Sequence, residues 1–415
     1  MSAADPATLI KTALRDLPDG PLGLAVSGGS DSLAMMVLAA QHAAQSGRSV
    51  KVVTVNHGLR VAAAEEADFV AGVAGGLGLS HDTLLWQGWD GQGNLMDQAR
   101  QARYRLMAEW AARSGVAAVL LAHTQDDQAE TLLMRLGRGA GVDGLSAMRS
   151  GFEVNGMLFY RPLLEASRNS LREVLWRNRQ RWIDDPSNQD DQFTRVRMRK
   201  ALSEMAEAGP TAQELAQSAT HLAAAKEALN WAVARFAEDH VRQQAGDLLI
   251  AAAPFATLPA ELQRRLLRHA LAWVSGDGYG PRGAALAGFC TAALAGEPAT
   301  LSGVRMTHRK GDIYLYRELA AVKAGPVEGQ DTFDSRWQIN GPVRDGVYIG
   351  PLGKEGLKLC PNWRESGRPA AAHQADPAIW QDNRLISAPL AGFLQGWQAD
   401  LLPKFRDFAK WLAIR

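Results

Sequence analysis

Between Leu24 and Met36 the chain reads Leu-Ala-Val-Ser-Gly-Gly-Ser-Asp-Ser-Leu-Ala-Met-Met, placing two glycines and three hydroxyls between an apolar run and a stretch of helical periodicity. An anion favours such a place. Gly28 and Gly29 can take positive φ and let backbone N–H groups approach a phosphate, and the following helix adds free N–H donors and a positive dipole end. Ser27, Ser30 and Ser32 supply further hydroxyl donors. Asp31 alone would repel a phosphate, so its presence suggests a Mg2+ ion between carboxylate and phosphate oxygens. A plain Ser/Asp helix cap would explain the serines but does not require two glycines ahead of them. The chain has no Gly-x-x-x-x-Gly-Lys-Ser/Thr sequence, which sets a Walker-type loop aside.

A second cluster, His123-Thr-Gln-Asp126-Asp127-Gln-Ala-Glu130-Thr131, follows the apolar run 116–122 and opens a helix. Three carboxylates in one turn repel each other, and the helix N-terminus offsets only about 0.3–1 kcal/mol per charge. A bound metal would offset far more, with Asp31 and Asp127 as its carboxylates. The plainer alternative is a Thr124 cap with an acidic first turn. Steps of i+4 and i+7 put Asp127, Thr131 and Arg138 on one helix face, so a cation reaches the same pocket. Arg100 and Arg103, in Gln98-Ala-Arg-Gln-Ala-Arg-Tyr104, stand at i, i+3 and read either as further cations or as a solvated face. Trp182-Ile-Asp-Asp-Pro-Ser-Asn188 and then Phe193-Thr-Arg-Val-Arg-Met-Arg199 put a polar turn before a basic helix. That surface suits a phosphate backbone and splayed bases, or else is an N-capped solvated helix. Gly139-Ala-Gly-Val-Asp-Gly144 matches the dinucleotide fingerprint, but it follows a helical run rather than a strand and reads as a helix stop.

The elements that must position these residues are short apolar runs at 22–26, 51–55 and 116–122, each followed by helical periodicity. That alternation predicts an α/β fold, a parallel sheet with its working loops at the carboxyl ends of the strands. Gly209-Pro210 breaks it, and an Ala-rich helical stretch over 211–244 opens a second domain that continues through Glu261–Val274. This domain closes with a hairpin, Thr300–His308 and Asp312–Glu318, around Lys310-Gly311. Gly/Pro punctuation beyond 330 predicts a small β-rich third unit. A chain of 415 residues is long enough for such a division.

Cys290 and Cys360 are far apart, without Cys or His at metal-ligand spacing, which argues against a disulfide framework or a zinc site. No run approaches the roughly 18 apolar residues needed to cross a bilayer, so a cytoplasmic location is expected. The net charge of +1 does not decide for or against nucleic acid, but residues 161–200 carry ten basic and six acidic side chains.

Ser-Gly-Gly-Ser-Asp-Ser after a strand resembles the PP-loop of the N-type ATP pyrophosphatases, which cleave ATP between the α- and β-phosphates and transfer AMP to an oxygen. Ser27–Ser32, Asn56–Arg60, Ala99–Tyr104, Asp126–Thr131 with Arg138–Gly141, and Asp185–Asn188 follow one another as in the tRNA(Ile)-lysidine synthetase family, and the chain is similar to that family over residues 22–200. Three positions depart from its pattern: Asn56 stands where many members carry Asp, Thr124 replaces a second His, and Val196 stands where Asn commonly follows the Arg.

The resemblance implies a PP-loop, adenine nucleotide alpha hydrolase-like catalytic domain over 1–208, a mostly helical tRNA-binding domain over 209–320 and a β-rich domain over 331–415. It implies that ATP adenylates the wobble cytidine of a tRNA(Ile) with a CAU anticodon and that L-lysine then displaces AMP. ATP and Mg2+ are the implied cofactors, and a homodimer is compatible. Ser27–Ser32 with Asp31 would hold the pyrophosphate, Arg100, Arg103 or Arg138 the α-phosphate, and Asp126, Asp127 or His123 would take the amine proton. The competing readings are a PP-loop tRNA thiolase, which usually needs cysteines that the first 289 residues lack, and a small-molecule PP-loop synthetase. A non-enzymatic, nucleotide-gated tRNA-binding protein would leave the acidic turn without a role.

Overall fold

The computed structural model describes residues 4–58, 62–87, 95–184, 192, 194–207, 209–278, 280–322, 332–342 and 346–413; the expectations for Leu59, Arg60, Asp185–Asn188 and Phe193 fall outside these. The chain divides into two compact units, Met1–Lys226 and Glu227–Arg415.

The first unit is an α/β sandwich. Its strands are β1 (Leu22–Ala25), β2 (Val50–Asn56), β3 (Ser80–Leu85), β4 (Ala118–Leu121), β5 (Gly151–Val154) and β6 (Met157–Tyr160). They form one sheet in the order β3-β2-β1-β4-β6-β5, parallel except for β5 at the edge. The helices are α1 (Pro6–Asp16), α2 (Ser30–Ser46), α3 (Ala62–Gly76), α4 (Leu95–Arg113), α5 (Gln125–Leu136), α6 (Val142–Leu145), α7 (Arg168–Arg177) and α8 (Thr194–Met205). The period-2 alternation of the strands explains why helices cover both faces. Leu22, Leu24, Val50, Val52, Ala118 and Leu120 pack with α1, α2 and α7 on one side. Val53, Val119, Leu121 and Phe159 pack with Tyr104, Met107 and Trp110 of α4 on the other.

The three apolar runs marked in the sequence are β1, β2 and β4. The β5–β6 hairpin, unmarked there, turns at Asn155-Gly156, both in the left-handed region (φ 50° and 75°), as a two-residue turn of the primed type requires. The Gly-rich segment after α5 is a helix stop followed by the short α6, and it does not follow a strand. In strand order the chain passes from β1 to β2 on one side and returns to β4 on the other. The sheet therefore has its topological switch point between β1 and β4, where open α/β sheets bind ligands.

Helix α9 (Ala212–His240) crosses the division between the units. It starts at a reciprocal cap in which Thr211 N–H donates to Glu214 Oε2 (2.8 Å) and Glu214 N–H donates to Thr211 Oγ1 (3.3 Å). It stops at His240, short of the expected Gln244, because β7 (Val241–Gln244) pairs with β8 (Asp247–Ala251). The second unit continues with α10 (Ala252–Thr257), α11 (Ala260–Ser275), α12 (Gly283–Ala295), β9 (Ala299–Leu301), β10 (Val304–Arg309) and β11 (Asp312–Arg317). The hairpin at Lys310-Gly311 is present between β10 and β11. The expected strand from Thr300 is instead two strands, since Ser302 and Gly303 turn with φ of 51° and 68°. Two three-stranded sheets follow, made from β12 (Thr332–Phe333), β13 (Trp337–Asn340), β14 (Val347–Pro351), β15 (Pro377–Gln381), β16 (Arg384–Ser387) and β17 (Gln398–Leu401), with the short α13 (Gly353–Lys358), α14 (Ala370–His373) and α15 (Phe408–Ala413). Among the described residues no helix is long and apolar enough to cross a membrane.

Candidate active site

The loop after β1 is closed by its own side chains. Ser32 Oγ donates to the Gly29 carbonyl (3.0 Å) and accepts from the Ser27 N–H (3.2 Å), so this hydroxyl braces the loop from within. Ser30 Oγ donates to Asp31 Oδ1 (3.1 Å). Gly28 takes the left-handed conformation (φ 86°), and a Cβ there would meet Ile183 Cδ1 at 3.1 Å. Of the two glycines that can take positive φ only Gly28 does so; Gly29 is extended (φ −73°, ψ 162°), and its bareness leaves the first N–H groups of α2 uncovered.

Beside it, on the neighbouring strand, β4 ends and α5 begins with a capping box: the Thr124 and Asp127 N–H groups each donate to the other's side chain, at 2.8 and 3.3 Å. Thr124, one of the three departures, is therefore the helix cap. Asn56, another, accepts the Gly58 N–H through Oδ1 (2.8 Å) and organises the turn after β2. Val196 is buried within α8.

Arginines from two later helices join the loop to the acidic turn. Arg168, the first residue of α7, lies 3.3 Å from Asp31 Oδ2, 3.4 Å from Asp127 Oδ1 and 3.2 Å from Glu130 Oε1, and its backbone N–H donates to Asp126 Oδ2 at 2.7 Å. Arg195 reaches Asp127 (3.2 Å) and Glu130 (2.9 Å), and Arg199 reaches Glu130 (2.9 Å). The Glu130 side chain is 0% exposed, so the three guanidiniums supply the charge balance that a buried carboxylate needs. Arg195 and Arg199, one turn apart on the helix read as a phosphate-binding surface, are thus directed into the carboxylates. Sequence reasoning did not single out Arg168. Its signal was a cation in the first turn of a helix, after the Ser167 cap, where the dipole disfavours positive charge.

Burial pushes the Asp31 carboxyl above its ordinary range, Arg168 pulls it back, and the nearby Asp127 charge raises it again. For Asp127 burial acts upward too, but Arg195 and Arg168 outweigh it and hold the group below the usual range. His123 is pushed down to about 4, first by burial and then by Arg161, Arg103 and Arg195 against the pull of Asp127. Its Nδ1 is buried with no hydrogen-bond partner among the described residues.

Both turns open on one cavity of about 450 Å3. Ser27, Gly29, Ser30, Asp31 and Ser32 line it from the loop, His123 from the end of β4, Arg103 from α4 and Arg168 from α7. Val26, Val53, Val55, Met107 and Leu121 form an apolar wall, of the character that lines small-molecule sites. Gly28 sits behind the lining with Ile183 over it. Asp127 lies beneath the surface, bound to Arg168 and Arg195, and the half-buried Asp126 accepts the Arg168 backbone N–H. Arg138 is not brought to the cavity, because α5 ends at Leu136 and the next turn leaves this side chain exposed, which breaks the i+7 spacing expected for it. Arg100 is not among the lining residues either, although Arg100 and Arg103 both approach the Tyr104 ring, at 5.9 and 5.4 Å. No group of three or more acidic, His or Cys side chains forms a metal cage among the described residues. Mg2+ takes hard carboxylates completed by phosphate oxygens; Asp31 lines the cavity and suits that role, whereas both Asp127 oxygens are already engaged, Oδ1 by Arg168 and Arg195 and Oδ2 by Thr124.

A phosphate loop and an acidic turn meeting at the switch point of a parallel sheet define a PP-loop nucleotide-binding protein, and the model of the PP-loop domain family matches residues 4–206. The full chain is 46% identical over 391 residues to tRNA(Ile)-lysidine synthase of Ruegeria pomeroyi, covering 94% of this chain and 93% of that one. It is 34% identical to the enzyme of the same name from Wolbachia pipientis wMel, covering 89% and 88%. The chain belongs to the tRNA(Ile)-lysidine synthase family. Among solved structures it is similar to a U34-tRNA thiolase from Methanococcus maripaludis, with 14% identity, a TM-score of 0.46, and 53% and 78% of the two chains covered.

Proposed function

We propose that this chain joins L-lysine to the wobble cytidine of an isoleucine tRNA with a CAU anticodon, using ATP and releasing AMP and pyrophosphate. The observation that carries this is the Arg168 guanidinium, which holds Asp31 of the phosphate loop and Asp127 of the acidic turn in one cluster beside one cavity. The cytidine carbonyl oxygen bonds to the α-phosphorus as the bond to the β-phosphate oxygen breaks. The lysine ε-amine then bonds to the ring carbon that carries this oxygen, loses a proton, and AMP departs with the former carbonyl oxygen.

The chain's own groups have distinct parts in this scheme. The loop Ser27–Ser32, through the N–H groups at the start of α2 and its hydroxyls, binds the departing pyrophosphate. Asp31 would hold Mg2+, which supplies charge neutralisation at the phosphates, and Asp127 would join it only by exchanging its arginine partners. Arg103, whose Nε is buried without a hydrogen-bond partner among the described residues, lines the cavity and would meet the α-phosphate. Of Asp126, Asp127 and His123 only His123 lines the cavity, and as a neutral imidazole at physiological pH it can accept the amine proton. The segment 209–320 is proposed as a tRNA-binding domain and 331–415 as a small β-rich domain, with a homodimer as the assembly and the cytoplasm as the location.

Mass analysis of the anticodon fragment after incubation with ATP, lysine and the tRNA tests the reading. The expected product has gained one lysine less water, in step with AMP formed. AMP formation that ignores both tRNA and lysine would sink it.

A further inference from the structure

The end of α7 carries a surface that the reactions above do not use. Trp176 is 64% exposed, and its ring lies 6.3 Å from that of Trp182 at an interplanar angle of 49°. Trp182 packs one side on the core, while Trp176 covers nothing comparable. Around the pair stand Arg177, Arg179 and Arg181, all exposed, with Arg177 held in a solvent-facing pair with Glu173 at 3.4 Å. Arg179 occupies the left-handed position of the turn that stops α7 (φ 53°), where glycine carries no steric cost.

This surface is tied to the phosphate loop. The Ile183 N–H donates to the Gly28 carbonyl at 2.9 Å, and Trp182 Nε1 donates to Asp184, which lines the cavity, at 3.0 Å. Trp182 is thus the immediate chain neighbour of the residue bonded to the loop, and Trp176 reaches this place through its ring contact with Trp182.

We infer that Trp176 and Trp182, flanked by Arg179 and Arg181, form a stacking platform for an unpaired RNA base next to the one delivered to the cavity. Exposed indoles take the π-face of any base, and arginines beside them take the connecting phosphates, a combination that suits single-stranded RNA. This deepens the proposed function and rests on it.

The test uses the full chain, a fluorescein-labelled RNA stem-loop with a CAU loop triplet, and the same stem with an abasic loop. Trp176→Ala weakens binding of the CAU stem-loop by about 5- to 150-fold, the range for losing one stacked base, while Trp176→Phe stays within about threefold of the native chain. The abasic RNA binds the native chain and Trp176→Ala equally, since the partner of the ring is gone. Arg179→Gln and Arg181→Gln each lower the salt slope of log K by roughly 0.7. Equal affinity of Trp176→Ala and the native chain for the CAU stem-loop overturns the platform alone. If Trp176→Ala keeps RNA affinity but shifts the sedimentation of the free chain, the patch is a protein contact and the inference fails. A native chain that binds neither RNA overturns the proposed function as well.

Discussion

Arg168 Nε lies 3.3 Å from Asp31 Oδ2, so the first residue of α7 neutralises a carboxylate of the phosphate loop 137 positions earlier in the chain. The same guanidinium serves Asp127 and Glu130, and the predictions below follow from how much depends on it.

Replacing Arg168 with Gln leaves the buried carboxylates short of one cation. The loss is expected to cost about 3–5 kcal/mol of stability, read from urea unfolding. Adding Asp31→Asn to that variant recovers part of the loss, because one of the stranded charges is then removed. Additive effects in the double variant would mean the two groups are not coupled.

Asp31→Ala removes a carboxylate that is raised by burial and lies on the cavity wall. The fold should tolerate it, with a melting temperature near that of the native chain. AMP release is expected to fall by at least about 100-fold, the scale of losing one electrostatic stabiliser. An unchanged rate would refute the metal assignment.

His123 gives a pH signature. Its folded value of about 4 lies below the ordinary 6.5, so the unfolded chain binds the proton first. The stability that comes from a neutral buried ring is complete above 6.5 and is lost as pH falls through 4, with a slope of up to about 1.4 kcal/mol per pH unit between. His123→Asn should flatten the difference between urea curves at pH 7 and pH 4.5. Identical pH dependence in both proteins would place the ring in water.

Gly28 and Gly29 should respond differently to alanine. At Gly28 the left-handed backbone and the Ile183 contact at 3.1 Å make Gly28→Ala destabilising by about 1–2 kcal/mol. Gly29→Ala meets nothing closer than 3.9 Å, so its stability should hold while its affinity for ATP, measured calorimetrically, falls. Equal stability losses would contradict the loop geometry.

The parts of the site that the sequence displays are those built from neighbours in the chain. Two glycines, three serines and Asp31 after an apolar run specify a phosphate loop locally, and Thr124 with Asp127 specifies a helix start. A parallel order puts both turns at the same edge of the sheet, but that β1 and β4 are neighbours is known only from the strand pairing. What stayed hidden depends on contacts between distant residues. Arg168 meets Glu130 across 38 positions, and Arg195 meets it across 65. A run of alternating arginines looks the same whether it faces phosphate or carboxylate. Only the buried Glu130 decides that Arg195 and Arg199 turn inward. Arg138 failed for a local reason, a helix that ends two residues too soon.

The buried Glu130 also sets the order in which this protein can mature. As it leaves the ribosome, the chain presents the phosphate loop and the acidic turn well before the three arginines that neutralise them. A nascent chain ending near residue 160 would hold like charges facing one another with nothing between. Closure of the catalytic centre must therefore wait for α7 and α8, so the first unit becomes competent only near its completion.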